Sequence, residues 1–176
     1  MDLRYGHPGD RIPLSELPGF EPHLLPDWLL GPALAEHIFA NAAIGVTEWH
    51  MGTQLLSQPV LLTSVTVIPL ASTSISAYLR IGLATIAPVA AGGLEGVNEL
   101  GIYGSYEDVG LDRIHLASSA GAWTIPLRRR IEPNGRRWCL QMTAGTAACN
   151  GGICLTWHTI PTVLPRWALR YLRILE

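Results

Sequence analysis

From Ile44 onward, apolar and polar residues alternate with a period of two, the pattern of half-buried strands rather than helices. Residues 75–83 are the clearest case. Ile75, Ala77, Leu79, Ile81 and Leu83 fall on one face, and Ser76, Tyr78, Arg80 and Gly82 on the other. Residues 60–68 are dense in Val, Ile, Leu and Thr, which favour a pleated surface. Pro59, Pro69 and Pro88 sit near expected strand ends, where a missing N–H is tolerated.

Two turns follow from local chemistry. Asn134-Gly135 favours a type I′ two-residue loop, which would place Pro133 opposite Arg136, Glu132 opposite Arg137 and Ile131 opposite Trp138. Gly151-Gly152 predicts a second hairpin, with Cys149 opposite Cys154. The strand after it alternates Ile153, Leu155, Trp157 and Thr159 against Cys154, Thr156, His158 and Ile160. Residues 87–110, rich in Gly and Ala, read as a long loop. The tail 166–175 alternates as a final strand would, with a helical turn as the alternative. Short strands joined by Gly-, Pro- and Asn-rich connections predict an all-β domain, a β-sandwich of jelly-roll-like type, over residues 44–176.

Residues 1–43 differ. Prolines at 8, 13, 18, 22, 26 and 32 each fix φ and push the preceding residue towards extended geometry. Between them lie Leu14, Leu17, Phe20, Leu24, Leu25, Trp28, Leu29 and Leu30, too many apolar anchors for a solvated linker. The segment reads as an extended arm lying on a surface, its own or a neighbour's. A short helix is expected at its end, with Pro32 in the first turn and Leu34, Ile38 and Phe39 facing inward.

Composition sharpens this picture. Apolar residues make up 48% of the 176 and charged residues only 15%, against a usual charged share of roughly 25%. That leaves apolar surface to hide, either in a generous core or against other chains. Residues 28–46 are the longest apolar stretch, but Pro32, Glu36, His37 and Asn41 break it well short of a spanning helix. Asp2, Arg4, His7, Asp10 and Arg11 occupy the place of a signal peptide's apolar region, so synthesis and retention in a cytoplasm until assembly are expected. The net charge of −2 gives no general attraction to nucleic acid. Every basic side chain is arginine, which a GC-rich genome explains and which also suits packed interfaces.

Candidate chemistry is sparse. Cys139, Cys149, Cys154 and His158 form the one conceivable metal grouping, but Cys154 and His158 would lie about 13 Å apart along a strand, too far for one ion. Cys149 and Cys154 could bridge under oxidation, although an odd cysteine count and cytoplasmic synthesis favour free thiols. Glu48 and His50 share a side of one strand, a spacing that a surface ion pair explains as well as an acid/base pair. No G-x-S-x-G, H-E-x-x-H or phosphate-loop pattern occurs, so no catalytic site, cofactor or metal is expected. Arg128, Arg129, Arg130, Arg136 and Arg137 crowd together and invite an anion. Carboxylates of a neighbouring subunit are favoured, with plain solvation next and nucleic-acid phosphate last, and Glu95, Glu99, Glu107, Asp108 and Asp112 offer an acidic counterpart. Trp49, Trp123, Trp138 and Trp157 are expected in the core, and Trp28 and Trp167 as exposed anchors near the chain ends.

These features point to a non-enzymatic structural protein of a larger assembly. A bacteriophage virion protein of the head decoration, cement or connector kind fits best, in a trimer or ring, with the arm (Leu14, Leu17, Phe20, Leu24, Leu25, Trp28, Leu29) and the five arginines as partner contacts. The second reading is a carbohydrate- or receptor-binding sandwich presenting Tyr78, Tyr103 and Tyr106. The third is a small β-fold enzyme using Glu48, His50 and His158.

Overall fold

The computed structural model describes residues 11–17, 21, 25–70, 77–85, 107–111, 113–116, 121–145 and 147–171. The strands, in chain order, are β1 (Arg11–Pro13), β2 (Ala33–Ala42), β3 (Thr47–Leu56), β4 (Val60–Leu70), β5 (Ala77–Ala84), β6 (Glu107–Asp108), β7 (Ile114–Leu116), β8 (Trp123–Ile131), β9 (Arg136–Ala144), β10 (Cys149–Thr159) and β11 (Val163–Pro165). Two antiparallel sheets face each other. One has the order β2-β10-β4-β8, and the other β3-β9-β5 with β6 and β7 sharing the far edge of β5. The domain is therefore a β-sandwich, as the sequence predicted.

The core lies between the sheets and takes the inward residues of both. Leu79, Ile81 and Leu83 of β5 meet Ile153, Leu155 and Trp157 of β10 in one buried cluster. At its centre the rings of Trp138 and Trp157, one from each sheet, pack at a centroid distance of 5.6 Å with planes tilted by 60°. Such a tilt lets a ring edge meet a ring face and is worth about 1 kcal/mol beyond the area buried. Trp49 is also buried and Trp123 is half-buried, packed on the core.

Four expectations change. Residues 33–42 are a strand, not a short helix. Leu34, Glu36, Ile38, Ala40 and Ala42 point inward while Phe39 is exposed, because ten ladder positions against β10 outweigh a helical turn. The Asn134-Gly135 turn forms as predicted, with φ of 50° and 75° and a 3.0 Å bond from Arg136 N to Pro133 O. The flanking strands do not pair with each other, however. β8 joins β4 and β9 lies between β3 and β5, so Ile131 faces Val60 and Trp138 faces Leu83. Both edges of β9 are taken, and the tight turn instead carries the chain from one sheet to the other.

The predicted turn at Gly151-Gly152 is absent, since both glycines lie within β10. They serve close approach: a Cβ on Gly151 would meet Leu116 Cδ2 at 2.9 Å, and one on Gly152 would meet Ile38 O at 2.6 Å. Cys149 and Cys154 thus occupy one strand on opposite faces, and all three cysteines are free. Finally, Arg166–Tyr171 is a short helix (α1), not a strand. It begins directly after Pro165, where proline sacrifices no helical hydrogen bond.

Candidate interaction surfaces

The described residues of the arm fold back on the chain's own domain. β1 pairs with β11, setting Ile12 opposite Leu164, and Leu14 N donates to Thr162 O at 3.0 Å. Leu25 and Leu164 are buried together, with Ile12, Leu14, Leu17, Leu29 and Leu30 packed around them. Further along, Gly31 N donates to Thr159 O at 3.0 Å, and the His158 Nδ1 lies 2.9 Å from Gly31 O. Most of the apolar arm residues therefore serve this chain's own satellite core. Trp28 is the exception, 57% exposed and stacked on Trp167 of α1, itself 49% exposed. Phe20 and Leu24 lie outside the described residues.

Each of the five clustered arginines has a partner within the chain. Arg128 holds the Asp27 carboxylate at 2.6 Å and the Leu25 carbonyl, clamping the arm to β8. Arg129 donates to Gly110 O at 2.7 Å, and Arg130 bonds Glu132. Arg136, buried, reaches Glu107 at 2.6 Å and Pro133 O at 2.8 Å, while Arg137 donates to Thr53 O at 3.1 Å. Among the suggested acidic partners, Glu107 is thus met within the chain. Glu95, Glu99 and Asp112 lie outside the described residues.

The outer face of the four-stranded sheet has a different character. Its β2 row runs Ala35, His37, Phe39 and Asn41, and the β10 row runs Thr156, Cys154, Gly152 and Asn150. Across β10 lie Ser64, Thr66, Ile68 and Leu70 of β4, then Thr124 and Pro126 of β8. None of these residues is an Asp, Glu, Lys or Arg. Phe39 and Leu70 are exposed at 46% and 42%. Among the described residues, the arm meets the opposite end of this sheet, around His158 and Arg128.

The opposite sheet carries a polar cleft of about 190 Å³ on its outer face, lined by Thr47, Tyr78, Arg80, Arg113, Gln141 and Thr143. Tyr103 and Tyr106 lie outside the described residues. Of the groups suggested for acid/base work, Glu48 Oε2 and His50 Nε2 stand 3.8 Å apart on β3. His158 lies on the other sheet and is tied to the Gly31 carbonyl. The fold does not bring the three together.

A carboxylate that the sequence presented only as an interruption proves structural. Glu36 is 6% exposed on the inward face of β2. Its Oε1 accepts the Thr53 amide, the Thr53 hydroxyl at 2.9 Å and the Gln54 amide at 3.1 Å. Those amides are freed where β3 slips out of register with β9 between Met51 and Leu55. The period-two series from Leu34 to Ala42 contained the signal, because it places Glu36 inside. Among the described residues, no cluster of His, Cys, Asp and Glu is placed to hold a metal, and no helix is long and apolar enough to cross a membrane.

No protein-family model matches the chain, and no curated protein does. Among solved structures, a chain of the infectious bursal disease virus Gx strain resembles it with a TM-score of 0.40 and 10% sequence identity. The match covers 78% of this chain and 35% of that one. The chain thus spans about a third of that viral chain's length, and a likeness of this size carries no argument about function.

Proposed function

We propose that this chain is a non-enzymatic structural protein of a virus particle, of the bacteriophage head decoration, cement or connector kind. One observation carries the reading: the bare end of the four-stranded sheet offers an exposed outer face with no charged side chain on its rows. A solvated surface normally intersperses charged residues among its polar ones. A face of Ala, Thr, Ser and Asn with Phe39, Ile68 and Leu70 costs little to desolvate and suits contact with another subunit.

The winding of the strands supports the same reading. With β6 and β7 sharing one position, the eight positions from β2 to β10 are ordered first-eighth-third-sixth and second-seventh-fourth-fifth. That is a double-sheet jelly roll, an architecture that viral capsid and lectin domains use. This support is analogy at the level of architecture. The arm's cover over the other end of the sheet directs any assembly to the Phe39 end.

Light scattering across a concentration series tests the proposal, comparing the wild type with Phe39→Glu and Ile68→Glu. The wild type is expected to form a trimer or ring that either substitution breaks without loss of the folded circular dichroism spectrum. A wild type that stays monomeric throughout, or oligomers indifferent to both charges, would sink it.

A further inference from the structure

Because residues 33–42 form a strand, a histidine and a cysteine come to lie directly opposite each other on the outer face of the four-stranded sheet. His37 of β2 pairs with Cys154 of β10, and both side chains leave the core, His37 exposed and Cys154 half-buried. The Cβ atoms of directly opposed residues stand roughly 4.5–5.5 Å apart. That spacing suits one shared ion, since zinc takes a thiolate at about 2.3 Å and an imidazole nitrogen at about 2.0–2.1 Å. The His37 ring stacks on Phe39, with centroids 6.2 Å apart and planes 15° from parallel. Stacking steadies the ring by its face and leaves the edge, where both nitrogens lie, to other partners. Cys154 is a free thiol, and its sulfur takes a hydrogen bond from Thr156, the next residue on the same face of β10. An outer-shell donor of this kind orients a metal-bound thiolate.

Two ligands are half of a structural zinc site, which closes a tetrahedron of four. Among the described residues, no third His, Cys, Asp or Glu joins the pair. Its neighbours on the face are Ala35, Phe39, Gly152, Thr156 and Thr66, and none of them is a cation that would repel the ion. A two-fold contact presents one patch twice. With the axis along the His37–Cys154 row, each of these two residues meets its own copy. Phe39, one step above the row, then lies over Ala35 of the second copy, a large side chain against a small one. Packed sheets stand about 10 Å apart, so the mid-plane lies within reach of all four ligands.

We infer that His37 and Cys154 are half of a zinc site that a second copy of this chain completes, with two thiolates and two imidazoles around one ion. The inference rests on the reading of this face as a subunit contact and deepens it: the contact is two-fold, and a ring is built of such pairs. Both ligands bind in their deprotonated forms, so zinc uptake and pairing strengthen together as pH rises.

The test uses the untagged full chain under a non-chelating reductant, stripped with EDTA, dialysed and titrated with zinc or cobalt(II). His37→Ala and Cys154→Ser are measured beside it, with circular dichroism to check that each is folded. Expected are one metal per two chains, a rise in light-scattering mass when zinc is added to dilute protein, and its reversal by EDTA. Cobalt should give the thiolate charge-transfer and visible bands of a tetrahedral sulfur–nitrogen site. Each substitution should weaken zinc by more than about 100-fold, beyond the 10- to 100-fold cost of losing an outer-shell partner. One metal per chain without a change in mass, or zinc binding indifferent to both substitutions, overturns the inference. Oligomers that form equally in EDTA and in both variants, with no cobalt bands, overturn it and leave the subunit contact standing. A chain that stays monomeric at every concentration, with and without zinc, overturns both.

Discussion

The ring of Phe39 lies over Gly152, its partner across the β2–β10 ladder, so close that a Cβ on Gly152 would meet Phe39 Cδ1 at 2.6 Å. An aromatic ring laid over a cross-strand glycine replaces the missing side chain and shields the backbone. Gly152→Ala is expected to destabilise the domain by roughly 1–3 kcal/mol, as overpacking does. Phe39→Ala should not rescue it fully, because the Ile38 carbonyl stands equally near the added carbon. Urea unfolding of the two single variants and the double variant measures this.

Glu36 supplies the acceptor for two β3 amides that have left the ladder with β9. Glu36→Ala strands both donors, at a cost of roughly 1–3 kcal/mol for each. Glu36→Gln keeps an oxygen in place and should cost clearly less. Denaturant midpoints should rank wild type, Gln, then Ala; an Ala variant as stable as Gln would contradict the bonding.

Asp27 lies below its usual pKa of 3.8 because it accepts a hydrogen bond from Arg128 and sits beside that positive charge. A depressed carboxylate pKa contributes stability above the unfolded value, and this is lost as pH falls through the folded value. Arm docking should therefore weaken below about pH 3.8. An acid-active protease should cut the arm faster in that window than at pH 5, and Asp27→Asn should remove most of the difference between the two pH values. An unchanged pH response in Asp27→Asn would assign the loosening to another group.

Trp28 and Trp167 stack with centroids 5.7 Å apart and planes only 9° from parallel, tying the arm to α1. A double-mutant cycle with Trp28→Ala and Trp167→Ala should give a coupling of about 0.5–1.5 kcal/mol. Each single variant should also speed proteolysis of the arm. Additive effects would mean that the two rings are neighbours without an energetic link.

Burial pushes the Cys139 thiol up to about 12 and raises Cys149 and Cys154 as well. Thiolate is the reactive form, so little is available at neutral pH. Iodoacetamide labelling followed by mass spectrometry should modify the half-buried Cys154 first and Cys139 last. Denaturant should make the three equal.

Much of the local geometry was written in residue order. Alternation from Tyr78 to Leu83 and from Ile153 to His158 assigned the faces of β5 and β10 correctly, because a strand's side-chain period of two is independent of its partners. Asn134-Gly135 set its own turn, since positive φ at two successive residues is a property of those residues.

Tertiary structure decided which elements meet. Whether Gly151-Gly152 turns or runs straight depends on what presses against it, and Leu116 and Phe39 do. The Asn134-Gly135 turn looked like a hairpin because sequence shows only the loop, whereas strand pairing is settled by the edges that other strands leave free. The same holds for the surfaces. Five clustered arginines read as an anion trap until folding brought Asp27, Gly110, Glu107 and Thr53 to four of them from elsewhere in the chain, while Arg130 takes the neighbouring Glu132.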